Sequence, residues 1–186
     1  MQAPAATPPA PPVKYTLGLA PLDSTDMVQV RNWRNDHRIW QWCRQNDFIS
    51  DAEQARWFDR QSADPSIKMY KILVQLEGAD KTVAVGVCGL TSIDMTNRHA
   101  EFSIYIAPSA QGNGFGKQAL SCLLTHGFKN LGLNVIFGEV FAGNPALTKF
   151  EQLGFVHEGV RRAFYFRDGK YCDAHLISMR ADEWIS

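Results

Sequence analysis

Three glycines at alternate positions in the stretch QGNGFGK, residues 111–117, constrain this chain more than any other feature. The stretch separates an alternating apolar run from an amphipathic one, which predicts a turn from a strand into a helix. Glycine adopts positive φ and lets bare backbone approach a ligand, while the start of a helix presents unpaired N–H groups to an anion. The stretch therefore predicts a phosphate-binding loop.

Spacing argues against two well-known phosphate loops. A P-loop has four residues between its first glycine and Gly-Lys, whereas Gly112 is followed by three before Gly116-Lys117, and no Ser or Thr comes next. Gly114 and Gly116 also begin the dinucleotide pattern G-x-G-x-x-A, with Glu139 near the ribose-binding position. Too few of the 186 residues follow Glu139 to complete a doubly wound sheet, so this second pattern is also disfavoured.

Length and composition fit one domain, predicted over residues 14–186, after a flexible Ala/Pro-rich tail over residues 1–13 that lacks the features of a signal peptide. Nineteen basic residues balance nineteen acidic ones, so no nucleic-acid partner is expected. The four cysteines are scattered without a C-x-x-C pair, so they predict reduced thiols and no metal site. Since no apolar run reaches the roughly 18 residues of a membrane span, we expect no membrane contact and a cytoplasmic protein.

Apolar periodicity predicts alternating strands and helices. Within the strand of residues 99–107, Phe102 faces one side of the sheet and Glu101 the other. A Ser50-x-x-Glu53 capping box predicts the start of one helix, and the turn at residues 167–170 predicts a closing hairpin. The other predicted strands cover residues 15–22, 68–76, 82–93 and 135–140, and the other helices begin near residue 25, after the glycine loop and at residue 144.

The glycine loop also matches Gln-x-x-Gly-x-Gly, at Gln111, Gly114 and Gly116, and on this motif the chain resembles the GNAT superfamily of N-acetyltransferases. The order of predicted elements over residues 15–185 is similar to that of GNAT enzymes, as is the Leu-Gly-Phe ending of the helix at 144–155. The resemblance implies an α/β GNAT fold: a central mixed, mostly antiparallel twisted sheet, splayed between its middle strands and flanked by about four helices.

The same resemblance implies acetyl-coenzyme A as the acetyl donor. Loop N–H groups and Lys117 would hold its pyrophosphate, and free backbone of the strand at 104–106 would bond its pantetheine arm. The implied cofactor-binding residues are Ile104, Tyr105, Ile106, Gln111, Gly112, Asn113, Gly114, Phe115, Gly116, Lys117, Asn144 and Phe150.

Acetyl transfer to an amine needs a base, because the amine is mostly protonated at neutral pH. Many GNAT enzymes carry a glutamate at the position of Glu101, which we predict to be catalytic; an ordinary ion-paired carboxylate is the alternative. Phe150 stands where many of these enzymes have the tyrosine that protonates the departing sulfur. Tyr105, Tyr165 or Tyr171 could replace it, although a thiol with a pKa near 8.5 also leaves as thiolate.

The Trp- and Arg-rich segment at 31–42 either packs as an ordinary helix face or lines the acceptor pocket. On the second interpretation the predicted acceptor-binding residues are Arg34, Asn35, Arg38, Trp57 and His99. The chain resembles the GNAT branch with ribosomal-protein, spermidine and nucleotide-linked amino-sugar acetyltransferases, and this segment favours the amino-sugar enzymes. Protein N-terminal acetylation and a weakly catalytic acyl-coenzyme A-binding module are the alternatives. We expect a small-molecule amine acceptor and a monomer or homodimer.

Overall fold

A computed structural model describes residues 14–45 and 47–185, so the tail predicted over residues 1–13 lies outside the described residues. The strands are β1 (Tyr15–Pro21), β2 (Lys68–Leu76), β3 (Val83–Asp94), β4 (His99–Ile106), β5 (Val135–Phe141), β6 (Val156–Arg167) and β7 (Lys170–Arg180). The helices are α1 (Met27–Arg34), α2 (His37–Trp40), α3 (Asp51–Ala63), α4 (Phe115–Thr125) and α5 (Ala146–Leu153). A π-helical turn over His126–Asn130 extends α4.

The seven strands form one sheet in the order β1-β2-β3-β4-β5-β7-β6. Every neighbouring pair is antiparallel except β4 and β5, which are parallel. The mixed, mostly antiparallel sheet of the predicted α/β fold is therefore confirmed. The described residues contain five α-helices where about four were expected, because the short α2 follows α1 after a single turn.

The two middle strands separate after three paired positions. Parallel pairing joins His99–Glu101 to Val135–Phe137 and stops there. Beyond this point the ring of Phe102 lies against Gly138, where a Cβ atom would come within 2.3 Å of a ring carbon. The ring can lie this close only because residue 138 has no side chain. Phe102 therefore fills the vertex of the predicted splay, the point at which the two strands separate.

Helix α4 packs one apolar face against the sheet. Ala119, Leu120, Leu123 and Leu124 are fully buried at helical spacing, as the sequence periodicity predicts. Their contact with the sheet fixes the start of α4, and with it the glycine loop, beside the end of β4.

Local signals set the remaining boundaries. Ser50 accepts from the Glu53 N–H while Glu53 accepts from the Ser50 N–H, which confirms the predicted capping box of α3. Gly154 ends α5 with a φ of +109°. Asp168 and Gly169 both have positive φ between β6 and β7, as a tight hairpin turn requires.

All four cysteines are free thiols. No helix within residues 14–45 and 47–185 has the length and apolarity needed to cross a membrane.

Candidate active site

A cavity of about 850 Å³ opens between the separated ends of β4 and β5. On one side it reaches the glycine loop, the start of α4 and α5, and we call this part the loop end. On the other side it is lined by Glu101, Glu139 and residues of the segment 34–45, and we call this part the acidic end.

Two left-handed glycines shape the loop end. Gly112 and Gly114 have φ values of +85° and +81°, and Gly114 comes directly before the first residue of α4. Side chains brace the loop from behind: Gln111 Nε2 donates to the Ile106 carbonyl at 3.1 Å, and Asn113 Nδ2 donates to the Ala110 carbonyl at 3.1 Å. The loop thus brings the bare backbone of its glycines to the cavity at the start of a helix.

This end of the cavity fits the acyl-coenzyme A that the motif implies. Lys117 and Lys149 line it and supply positive charge for phosphates. Along β4, pairing with β5 ends at Glu101, so the backbone groups of residues 102–106 that do not pair with β3 can bond the amide groups of a pantetheine arm, except the Ile106 carbonyl, which accepts from Gln111. Phe115 lines the same end, and its ring packs edge-to-face on Tyr15 at 4.8 Å between centroids.

Helix α5 forms the opposite wall. The Asn144 carboxamide oxygen accepts from the Ala146 N–H at 2.9 Å, so this side chain caps the helix as it lines the cavity. The Phe150 ring contacts that of Phe102 edge-to-face, with centroids 5.2 Å apart. Residue 150 therefore presents an aromatic surface without a proton to donate.

The acidic end holds two carboxylates on one face of the sheet. Glu101 pairs with Phe137, two residues before Glu139, so the two glutamate side chains point the same way. Their side chains are only 14% and 7% exposed. Buried carboxylates need charged or hydrogen-bonding partners, and Arg44 supplies the first of these.

Arg44 bridges both carboxylates. It donates to both carboxylate oxygens of Glu101, through Nη1 at 3.1 Å and through Nη2, and its Nη2 lies 3.5 Å from Glu139 Oε2. The pairing with Glu101 raises the pKa of Arg44. Arg161 and Tyr165 complete the surroundings of Glu139: Arg161 Nη1 lies 3.4 Å away, and the Tyr165 hydroxyl donates at 3.1 Å.

Two more arginines line the cavity. The Arg34 guanidinium lies 5.9 Å from the ring centre of Tyr105 and donates to Gln45 Oε1 at 3.2 Å. Arg38 forms a two-point ion pair with Asp36, which lowers the pKa of that carboxyl to about 2. The acidic end therefore combines buried carboxylates with several fixed guanidinium groups.

The tyrosines that could protonate a departing sulfur differ in availability. Burial raises the pKa of Tyr105, whose hydroxyl is enclosed and has no hydrogen-bond partner within the described residues. Tyr171 is 71% exposed on the hairpin and does not line the cavity. The Tyr165 hydroxyl is bonded to Glu139, so it is the one of the three that contacts the acidic end.

Most of the predicted site residues line this cavity. The structure brings together Arg34, Arg38, Glu101, Ile104, Tyr105, Ile106, Gln111, Gly112, Gly114, Phe115, Gly116, Lys117, Asn144 and Phe150. Their individual roles stay predictions.

Four predicted residues do not line the cavity, which corrects their placement. The Asn35 side chain forms two 2.8 Å hydrogen bonds with the Ile49 backbone, so it fastens a loop. Trp57 packs against a separate apolar cluster that includes Val87. His99 lies 3.7 Å from the Asp94 carboxylate, and Asn113 braces the glycine loop from behind.

Sequence reasoning missed Arg44, Arg161 and the site role of Glu139. Arg44 lies in an irregular segment without periodicity, and Arg161 comes from the penultimate strand. Glu139 carried a usable signal, since its alternation on β5 places it on the face opposite the core residues Ile136 and Val140.

Comparison with known proteins agrees with this geometry. A family model described as "Acetyltransferase (GNAT) domain" matches residues 16–156. A spermidine N(1)-acetyltransferase of Vibrio cholerae is 30% identical over 171 residues, covering 91% of this chain and 96% of the relative. A putative ribosomal N-acetyltransferase of Bacillus subtilis is 31% identical over 100 residues, covering 53% of this chain and 55% of the relative.

Solved structures have the same architecture. The crystal structure of spermidine N-acetyltransferase from Vibrio cholerae in complex with CoA and spermine superposes with a TM-score of 0.82. Its sequence identity is 28%, and the match covers 90% of this chain and 96% of that one.

Proposed function

Because the chain belongs to the GNAT acetyltransferase family, it is an acetyl-coenzyme A-dependent N-acetyltransferase of small-molecule amines, and we propose that its acceptor also carries a phosphate or carboxylate. A nucleotide-linked amino sugar is the acceptor that we favour. This choice rests on the acidic end of the cavity, where the acceptor amine must lie to meet the thioester.

The guanidinium groups that line the cavity or contact its two glutamates carry this proposal. Arg34, Arg38 and Arg44 line the cavity, and Arg161 lies within 3.4 Å of Glu139. A guanidinium fork binds a phosphate or carboxylate through two parallel hydrogen bonds. Since each additional ammonium group on a polyamine would face these like charges, the lining disfavours such an acceptor.

Aromatic side chains support the same acceptor class. Trp42, Tyr105 and Phe141 line the cavity. Aromatic rings provide flat apolar surfaces on which a sugar or nucleobase packs. A nucleotide-linked amino sugar would therefore place its phosphates near arginine and its rings against aromatic side chains.

The residues of the chain fit the chemistry in order. Glu101 accepts a proton from the acceptor ammonium, and the freed nitrogen forms a bond to the thioester carbonyl carbon. The carbon–sulfur bond then breaks, coenzyme A leaves as a thiolate, and the nitrogen, positively charged after the attack, releases its second proton to solvent. Phe150 cannot protonate that sulfur, but a thiol with a pKa near 8.5 is an adequate leaving group, and a general acid contributes only about 10²- to 10⁴-fold.

A polyamine is the second candidate acceptor. It is favoured by the similarity to the spermidine N(1)-acetyltransferase of Vibrio cholerae over 91% of this chain. The pair of buried carboxylates also suits an ammonium group. The two candidates differ in their relation to Arg44, which can bind an anionic group of a sugar nucleotide but competes with a polyamine for Glu101.

Release of the coenzyme A thiol from acetyl-coenzyme A distinguishes the candidates. UDP-glucosamine, spermidine and a peptide with the N-terminus of a ribosomal protein serve as acceptors, with products identified by mass spectrometry. We expect kcat/KM to be highest for UDP-glucosamine. A higher value for spermidine would favour the polyamine, and a higher value for the peptide would favour protein N-terminal acetylation.

A further inference from the structure

We propose that Arg44 is a specificity-determining residue that occupies the ammonium position between Glu101 and Glu139, and that Arg167 positions it there. An acceptor amine then replaces Arg44 at Glu101, and an anionic group on the acceptor binds the released guanidinium. This inference rests on the proposed function and names the residues that select the acceptor.

Arg44 occupies the carboxylate of Glu101. Arg44 donates to both oxygens of this carboxylate. Each oxygen of Glu101 therefore already accepts from a cation, and a substrate ammonium must compete with Arg44 for this carboxylate. Since the Arg44 side chain is 47% exposed whereas Glu101 is 14% exposed, it is the arginine that has room to move.

Arg167 holds the backbone around Arg44 in place. Arg167, next to the turn between β6 and β7, donates to the backbone carbonyls of Cys43 and Gln45, the two neighbours of Arg44. Its guanidinium also lies 5.0 Å from the centre of the Phe141 ring. The backbone on both sides of Arg44 is therefore fixed, so that only its side chain needs to turn when an acceptor binds.

The displaced Arg44 guanidinium needs a new anionic partner. A guanidinium released from two carboxylates loses its strongest partners, and an acceptor with a phosphate or carboxylate replaces them. A diamine offers no such replacement and must compete with Arg44 for Glu101. The ion-pair exchange therefore selects amines that also carry an anion.

Binding of two matched amines tests this inference without relying on turnover. 4-Aminobutyl phosphate and 1,4-diaminobutane share a four-carbon chain and differ in the group at the far end. Titration calorimetry measures both with the coenzyme A-loaded protein. For Arg44→Gln we expect diaminobutane to bind about tenfold tighter and the amino phosphate about tenfold more weakly, a shift of roughly a hundredfold in their affinity ratio.

Three further variants separate this mechanism from a general charge effect. Arg161→Gln also removes a cation near Glu139 but leaves Glu101 paired, so we expect a much smaller shift in the ratio. Arg167→Lys should shift the ratio in the direction of Arg44→Gln by a smaller factor, because one ammonium cannot span both carbonyls. Arg162→Gln, on the exposed strand β6, should leave both affinities unchanged.

The inference is overturned if the ratio of the two amine affinities in Arg44→Gln stays within about twofold of that in the unmodified protein. It is also overturned if neither amine binds measurably to either protein. An equal shift in Arg161→Gln would overturn it too. Failure of UDP-glucosamine as an acceptor, by contrast, would count against the proposed function and leave this binding ratio as an independent result.

Discussion

The ring of Phe102 occupies the space that a side chain on Gly138 would need: a Cβ atom there would lie 2.3 Å from the ring. This contact comes directly after the last paired position of β4 and β5. The separation of the two strands, and therefore the cavity, depends on a large residue on one strand opposite a glycine on the other.

Gly138→Ala should disturb this vertex. The added methyl group must push the Phe102 ring away, and overpacking of this kind costs about 1–3 kcal/mol of unfolding free energy. Urea denaturation measures the cost. Gly18→Ala, in β1 with no atom within 4 Å of the new Cβ, is the matched control and should change stability little. If both variants unfold at the same urea concentration, the Phe102 ring does not exclude a side chain at residue 138.

Gly114→Ala should weaken the binding of acetyl-coenzyme A. Its φ of +81° disfavours any side chain, at a cost of about 1–2 kcal/mol, and the strain acts on the loop that we assign to the pyrophosphate. Gly78→Ala is matched in strain, with a φ of +79° in the β2–β3 turn. We expect both to lower the melting temperature, but only Gly114→Ala to raise the KM for acetyl-coenzyme A. Equal KM values in the two variants would contradict the assignment.

The parts of the fold that sequence predicted are those with local signals. The Ser50–Glu53 box, the Asp168–Gly169 turn and the glycine loop each determine their own backbone within a few residues. The α4 periodicity fixed its buried face because a helix repeats every 3.6 residues. These features set the order of elements, and the resemblance of that order to GNAT enzymes implied the sheet.

The acidic end was less predictable because its geometry depends on distant segments. Arg167 is separated from Gln45 by 122 residues, yet it holds the loop that carries Arg44. No periodicity marks Arg44, and its role follows from where the hairpin docks. The position of Trp57 was hidden for a related reason: the sequence showed an amphipathic helix, but not that its tryptophan packs against the cluster that includes Val87 and does not line the cavity.

Glu101→Gln should remove most activity and keep cofactor binding. Glutamine matches the shape of glutamate but cannot accept the amine proton, so we expect kcat to fall by about 10²- to 10⁴-fold. Calorimetry with coenzyme A should give an unchanged Kd, since Glu101 lies at the far end of the cavity from the loop. Glu77→Gln, in the β2–β3 turn, should be fully active. Full activity in Glu101→Gln would show that Glu101 is not the base and is an ordinary ion-paired carboxylate.

Lys117→Gln should affect only acetyl donors that carry phosphates. Loss of one charged hydrogen bond to a phosphate weakens binding by about tenfold. We expect this increase in KM for acetyl-coenzyme A and none for acetyl-pantetheine, which lacks the diphosphate. Lys81→Gln, outside the cavity, is the charge-matched control. An equal increase for both donors would indicate that Lys117 acts on the shape of the cavity instead.

Acetyl transfer is measured by following acetyl-coenzyme A and an amine-bearing acceptor together in one reaction, with free thiol and acetylated amine quantified by mass spectrometry. We expect one N-acetylated amine for each coenzyme A released, and neither product without the protein. Binding of coenzyme A without an acetylated product from UDP-glucosamine, spermidine or the ribosomal peptide would contradict this expectation and would indicate a module that binds acyl-coenzyme A without transferring the acyl group.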